Sequence, residues 1–170
     1  MSRVTLRPVP VFIVRHAHAG SRSRWNGDDA ARPLSTKGYE QAIAIGNLLG
    51  EFPITYLGSS PAVRCIETLA PLVPRFEIDV HVLPELAEGA DVEGAVELVL
   101  SLAKSNAALC AHGDLIPAVV DELCRRGMVA RRASSGRRMK GEPAVSQKGS
   151  VWRIDFDGKT PVTGTYHPPA

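Results

Sequence analysis

Long apolar runs are missing from this 170-residue chain. The longest near the N-terminus, residues 9–14, is interrupted by Pro10 and closed by Arg15, too short for a signal-peptide core or a membrane span. A cytoplasmic protein with no membrane partner is the expectation. Cysteine is scarce, and Cys65, Cys110 and Cys124 form an odd set without CxxC spacing, which argues against a disulfide framework or a zinc site. Buried free thiols are expected instead. Aromatic residues make up 5% of the chain, so its core must be aliphatic, rich in Ala, Val and Leu. No excess of one charge is present either, since the formal net charge is +2.

That near-neutrality conceals an uneven distribution. Residues 125–140 hold six Arg and one Lys and no acid, leaving a net charge of −5 on the rest. Such a local basic segment suggests an anionic partner met at one place and argues against coating of a nucleic acid polymer. At this length the chain fits one domain, 1–170, able to bury roughly two-thirds of the surface its unfolded form exposes.

Apolar, β-branched runs alternate with stretches of helical period, the pattern of an α/β domain with a mainly parallel sheet flanked by helices. Residues 9–14 predict the first strand. Ser35 is placed to cap a helix with apolar positions at Ala42, Ile45, Leu48 and Leu49, ending near Gly50. A short strand follows at 54–57, then a helix opened by Ser60-Pro61 and closed by Pro71 or Pro74. Residues 80–83 predict a third strand, 92–103 a helix, 107–111 a buried strand and 115–124 another helix. Gly, Ser, Pro and clustered charge over 125–145 predict a long basic loop, 151–156 an edge strand, and 157–170 a loose Pro-rich tail. The core therefore spans about residues 9–156.

Four segments stand where a strand gives way to a loop or helix: Arg15-His16-Ala17, Ser59-Ser60-Pro61 with Arg64, Glu85, and His112-Gly113. In open α/β sheets ligands bind outside the carboxyl ends of the strands, so these segments are expected to converge on one pocket. Two guanidiniums and two imidazoles suit a phosphoryl group, because Arg offers planar, bidentate, charge-assisted donors. A metal site built from His16, His18 and His112 fits less well, since carboxylates or thiolates at ligand spacing are lacking and Arg15 repels a cation.

Arg15-His16-Ala17, Leu34-Ser35 with Gly38, Ser60-Pro61-Ala62-Val63-Arg64 with Glu67-Thr68, Leu83-Pro84-Glu85 and His112-Gly113 occur in the order seen in the histidine phosphatase, or phosphoglycerate mutase-like, superfamily. In particular the chain resembles the short SixA-type phosphohistidine phosphatases, at Val82 to Leu86, and the phosphatase domains attached to some Nudix hydrolases, at Lys148 to Trp152. The resemblance implies the phosphoglycerate mutase-like fold and a metal-independent phosphatase needing no cofactor. It makes His16 the nucleophile of a phosphohistidine intermediate and Arg15, Arg64 and His112 the phosphate-binding groups. His18 and Lys148 are candidate substrate contacts. Flanking cations favour an unprotonated, nucleophilic imidazole and neutralise the transferring phosphoryl oxygens.

In the superfamily a carboxylic acid from the segment holding Glu85 commonly protonates the leaving oxygen, and Glu88 lies close enough to take that role instead. A phosphohistidine protein, a nucleotide phosphate and a small phosphoester all remain open as substrates. A phosphosugar mutase would need a lid against water, and no long insertion supplies one. A non-catalytic phosphate-binding module on the same fold is a third reading.

Overall fold

The computed structural model describes residues 10–170. Its centre is β1 (Val11–Arg15), whose first four residues are buried on both faces. Parallel to it runs β4 (Ala107–Ala111), followed outward by β2 (Tyr56–Ser59) and β3 (Val80–Val82), also parallel. On its other side β1 pairs antiparallel with β6 (Val151–Asp157), which pairs antiparallel with β7 (Thr160–His167). The outermost strand there is β5 (Val129–Arg132), parallel to β7. Seven strands thus form one mixed sheet in the order β3-β2-β4-β1-β6-β7-β5.

Strand alternation assigns each face its helices. Phe12 and Val14, with Ala108 and Cys110, pack against α1 (Thr36–Leu49), α2 (Val63–Leu69) and α3 (Leu72–Phe76) through Ile45, Leu49, Cys65, Leu69 and Leu72. Val11, Ile13, Leu109 and Trp152 face α4 (Val92–Ser101) and α5 (Leu115–Arg125) through Val96, Val99, Ile116, Val119 and Leu123. Alanines in β4 let the helices approach closely, consistent with an aliphatic core. Trp152 is the largest fully buried side chain, and its indole N–H donates to the Val145 carbonyl at 2.8 Å. Truncating it to Ala removes packing worth about 3–5 kcal/mol.

The expected cap of α1 is present, and α4 has one as well. Ser35 accepts from Gly38 N and Asp91 from Gly94 N, each closing an orphaned first-turn donor. Cys65 and Cys110 are buried free thiols and Cys124 is half-buried.

Three sequence expectations are corrected. Residues 157–170 are not a loose tail, because β7 occupies most of them and pairs along the length of β6. Asp157-Gly158, with Gly158 at φ 60°, supplies the hairpin turn signal. With β1 on one side and β7 on the other, β6 is an internal strand rather than an edge. Residues 125–145 are not all loop: β5 lies within them, and its turn folds back so that Met139 N donates to Ala130 O and Arg132 N to Arg137 O. A strand of sequence Val-Ala-Arg-Arg suits a sheet edge, where charge discourages pairing with another chain. Val9, expected in the first strand, lies outside the described residues.

Candidate active site

Register brings the site together. Arg15 is level with Ala111, and Ser59 with both Cys110 and Val82, so β1, β4, β2 and β3 end on one line. The ladder runs one residue further: His16 N donates to Ala111 O at 3.1 Å, Ser60 N to Cys110 O at 3.0 Å and Leu83 N to Ser59 O at 2.8 Å. His16, Ser60 and His112 therefore leave the sheet side by side. Above them opens a cavity of about 280 Å³ lined by Arg15, His16, Arg64, His112 and Lys148 among others.

His16 is 6% exposed. Its Nδ1 lies 2.8 Å from the Ala17 carbonyl, which can only accept, so Nδ1 carries the proton and Nε2 the lone pair. Nε2 has no hydrogen-bond partner among the described residues. Burial pushes the imidazole pKa down to about 3; the Ala17 carbonyl opposes this, and Arg64, His112 and Arg15 depress it further. A neutral ring with a free, cavity-facing nitrogen results.

Arg64 is 2% exposed and stands in the first turn of α2. Its Nη1 donates to the Asp29 carbonyl at 2.8 Å, and Nη2 lies 3.2 Å from Asp29 Oδ2 and 3.4 Å from Glu88 Oε2. Arg15 donates from Nη1 to the Ser146 carbonyl, and Gly113 makes room for it, since a Cβ there would come within 2.5 Å of Arg15 Cζ. The Nε of both arginines is buried and donates to no acceptor among the described residues. Two guanidinium Nε donors without protein acceptors beside an unprotonated imidazole are an arrangement suited to an anion with several acceptor oxygens.

The His112 ring stands edge-on to His16, centroids 5.3 Å apart. Its Nε2 lies 2.7 Å from Ser60 Oγ, which also accepts from Ala62 N at 3.3 Å. Ser60 thus fixes the orientation of His112.

The remaining motif residues hold this constellation in place. Thr68 accepts from Ala17 N at 3.0 Å and donates to Arg64 O at 2.6 Å, tying the segment after His16 to the helix that carries Arg64. Glu67 accepts from Leu34 N at 2.8 Å. Gly38 lets α1 press against the His18 carbonyl, into which a Cβ would run. Gly149, at φ 82°, turns its N–H toward the Arg15 and His16 carbonyls, 3.2 Å from each.

Five of the sequence-predicted residues meet at the cavity: Arg15, His16, Arg64, His112 and Lys148. Two do not. Glu85 is exposed in a 3-10 turn and does not line the cavity. Glu88, three residues on, lines the cavity and contacts both Arg22 and Arg64. His18 points away as well: its Nδ1 lies 2.6 Å from Ser35 Oγ, so the ring braces the cap of α1.

Sequence reasoning missed Asp29, Arg22 and Arg32. Asp29 Oδ atoms lie 3.3 Å from Arg22, 2.9 Å from Arg32 Nε and 3.2 Å from Arg64. The available signal was the density of charge in residues 20–33, a stretch with no apolar period that folds over the cavity. Arg32, 6% exposed, also donates to the Ala19 carbonyl at 2.8 Å. The basic segment 125–140 contributes nothing to the cavity lining. Four of its six arginines pair elsewhere, Arg125 with Glu122, Arg126 with Glu93, Glu97 and Glu122, and Arg132 and Arg137 with Glu142. Among the described residues no three His, Cys, Asp or Glu are grouped to hold a metal ion, and no helix is long and apolar enough to cross a membrane.

The chain is similar to several known proteins. An 8-oxo-(d)GTP phosphatase of Mycolicibacterium smegmatis is 34% identical over 168 residues, an alignment covering 94% of this chain and 49% of that protein. The chain thus spans about half the length of this curated relative. Among solved structures, the protein histidine phosphatase SixA complexed with tungstate superposes with a TM-score of 0.70 at 24% identity, covering 94% of this chain and 95% of the other. A SixA-type protein from Nakamurella multipartitia gives 0.68 at 24% identity, with 95% and 94% covered. A mycobacterial glucosyl-3-phosphoglycerate phosphatase gives 0.65 at 17%, with 94% and 97% covered. These likenesses show the shared fold. Residues 11–97 match the histidine phosphatase superfamily (branch 1), and with that match and the 34% identical relative the chain belongs to the histidine phosphatase superfamily.

Proposed function

We propose that this chain is a metal-independent phosphatase that transfers a phosphoryl group to Nε2 of His16 and then to water. The observation that carries this reading is the pairing of a buried, neutral His16, its Nδ1 proton committed to the Ala17 carbonyl, with two guanidiniums whose buried Nε donors lack protein acceptors. Binding alone has no use for a free imidazole nitrogen between such donors.

Phosphate oxygens take the Nε and Nη donors of Arg15 and Arg64, which also neutralise the charge developing on the transferring group. His112, steadied by Ser60, donates a further hydrogen bond. In-line attack by His16 Nε2 forms the P–N bond as the P–O bond to the leaving group breaks. Glu88 is the acid best placed for the leaving oxygen, because it lines the cavity and an arriving phosphate displaces it from Arg64. Ionised after that donation, it accepts the proton of the water that cleaves the phosphohistidine.

The relative named for 8-oxo-(d)GTP supports a nucleotide as substrate, and the cluster of cations at the cavity supports one with more than a single phosphate. The test of the chemistry is turnover of p-nitrophenyl phosphate in EDTA. Activity should persist in the chelator and vanish in His16→Ala, and rapid quench should trap an acid-labile, base-stable phosphoenzyme. Turnover that survives His16→Ala, or that requires an added divalent metal, would sink the mechanism.

A further inference from the structure

A second cleft, about 260 Å³, adjoins the catalytic cavity and shares Gly20 and Arg32 with it. Trp25, Arg24, Pro33 and Leu34 are among the residues that line it. Trp25 is 37% exposed, one of few large apolar side chains so open. Its indole N–H donates to the Asp28 carbonyl at 3.0 Å, so the ring is pinned and its donor is spent. What it offers a ligand is a flat, fixed face. Arg24 beside it makes no ion pair among the described residues.

Between this cleft and His16 lies a surplus of positive charge. Arg15, Arg22, Arg32, Arg64 and Lys148 line the cavity against Glu88 and Asp114. Arg15 and Arg64 suffice for one phosphate. Lys148 has no carboxylate partner among the described residues. Burial lowers its pKa, and Arg15, Arg32, Arg64 and Arg22 lower it further, the mark of an ammonium held in a field of like charge. Its main-chain carbonyl is held at 3.3 Å by Gln41, whose Oε1 accepts from His18 N at 2.8 Å, so its position is tied to that of the His16 segment. An anion adjacent to the reacting phosphate relieves that repulsion.

We infer that the cleft at Trp25 takes the base of a nucleoside diphosphate, with the inner phosphate against Lys148 and Arg22 and the terminal phosphate at His16. This rests on the phosphatase reading and names its substrate class. Stacking on an indole with a spent N–H tolerates any base and prefers the larger purine face. The P–N bond to His16 Nε2 forms as the bridging P–O bond breaks, and the nucleoside monophosphate leaves with the proton from Glu88. Water then cleaves the P–N bond, giving inorganic phosphate and neutral His16.

The experiment compares guanosine 5′-diphosphate, inorganic pyrophosphate and p-nitrophenyl phosphate as substrates of wild type, Trp25→Ala and Trp25→Phe. Trp25→Ala should raise KM for guanosine diphosphate about tenfold with kcat nearly unchanged, the effect of losing one stacked base. Trp25→Phe should recover most of that, and the two base-free substrates should be indifferent to either change. Equal losses on all three substrates would mean that Trp25 only braces residues 20–33, and unchanged kinetics on guanosine diphosphate would likewise overturn the assignment. Binding is read separately from chemistry by tryptophan emission in His16→Ala. Only Trp25 and Trp152 emit, and Trp152 is 1% exposed. Guanosine diphosphate should quench His16→Ala and leave the His16→Ala, Trp25→Phe double variant unquenched. This arm decides the cleft even if p-nitrophenyl phosphate turnover shows the phosphatase reading to be wrong.

Discussion

Glu88 Oε2 stands 3.4 Å from Arg64 Nη2, while Oε1 of the same carboxylate lies 2.8 Å from Arg22. The candidate acid thus bridges Arg64 in α2, the proposed phosphate ligand, and Arg22 of the segment that folds over the cavity. In the proposed mechanism phosphate entry exchanges this carboxylate for substrate oxygens and moves Glu88 toward the leaving group. Glu88→Gln should therefore slow alkyl phosphates, whose leaving oxygen needs a proton, about a hundredfold, and p-nitrophenyl phosphate far less. Glu85→Gln should leave both rates within about twofold, as expected of an exposed side chain outside the cavity. A leaving-group dependence that followed Glu85 would return the role to that residue.

Asp29 holds three arginines at once, and its main-chain carbonyl fixes the other arm of Arg64. The hydrogen bond from Arg32 leads in lowering its pKa, with Arg64 and Arg22 contributing, so it is ionised at neutral pH. Asp29→Asn should lower kcat roughly tenfold with little change in KM, since the guanidiniums stay present but lose their orientation for the transition state. Asp29→Glu should restore part of the rate. A pure KM effect would show that Asp29 acts by competing with substrate.

How far the sequence foretold all this varies by element. The positions of His16, Arg64 and His112 were legible because they follow strands, and strand register is set by alternation that a sequence displays. Lys148 was legible only through resemblance. Glu88 was named only as the alternative to Glu85, and Asp29 was missed, for a physical reason: each lies in a 3-10 turn or loop, where direction depends on partners in other segments and no periodicity reports it. β7 was overlooked because Pro161 and Gly164 broke its apolar pattern, although both are buried in the sheet. The basic segment misled because charge counted along the chain ignores ion pairs formed across it, such as Arg126 with Glu93.

His16 has a folded-state pKa of about 3 against an ordinary 6.5. Between those values the unfolded chain binds the proton and the folded chain does not, so stability is complete above about pH 6.5 and falls as pH drops toward 3. From pH 6.5 to 5 the loss should be about 2 kcal/mol, seen as a lower urea midpoint, and His16→Gln should flatten that slope. Catalysis follows the same logic. Down to about pH 4 His16, the proposed nucleophile, stays unprotonated, so an acid limb in kcat/KM should move with the second pKa of the substrate phosphate. A limb fixed near pH 6.5 for every substrate would show His16 to be titrating there.

Gly38 is the point where α1 meets the His18 carbonyl, and a Cβ at that position would overlap a main-chain atom that has no room to yield. Gly38→Ala should destabilise the fold by about 1–3 kcal/mol, the range for overpacking. Because His18 is two residues from the nucleophile, the displaced backbone should also lower kcat. A variant as stable and as active as wild type would mean that α1 moves freely against this segment.

The basic segment 125–140 carries seven cations that invite a role in drawing substrate to the site. Its strand β5 is the far edge of the sheet, separated from β1 by β7 and β6, and Arg126, Arg132 and Arg137 are each within 3.4 Å of a carboxylate. Exposed charges at that edge are screened over about 8 Å at physiological ionic strength, too short a reach to steer a ligand from there. Changing Arg131, Arg132, Arg137 and Arg138 together to Ser should therefore leave kcat/KM for guanosine diphosphate within about twofold, with the same decline as salt rises. Lys148→Met, by contrast, removes a cation from the cavity itself and should both lower kcat/KM for the diphosphate and flatten its salt dependence. If the four-Ser variant flattened that dependence and Lys148→Met did not, the sheet edge, and not the cavity, would be where the substrate's charge is met.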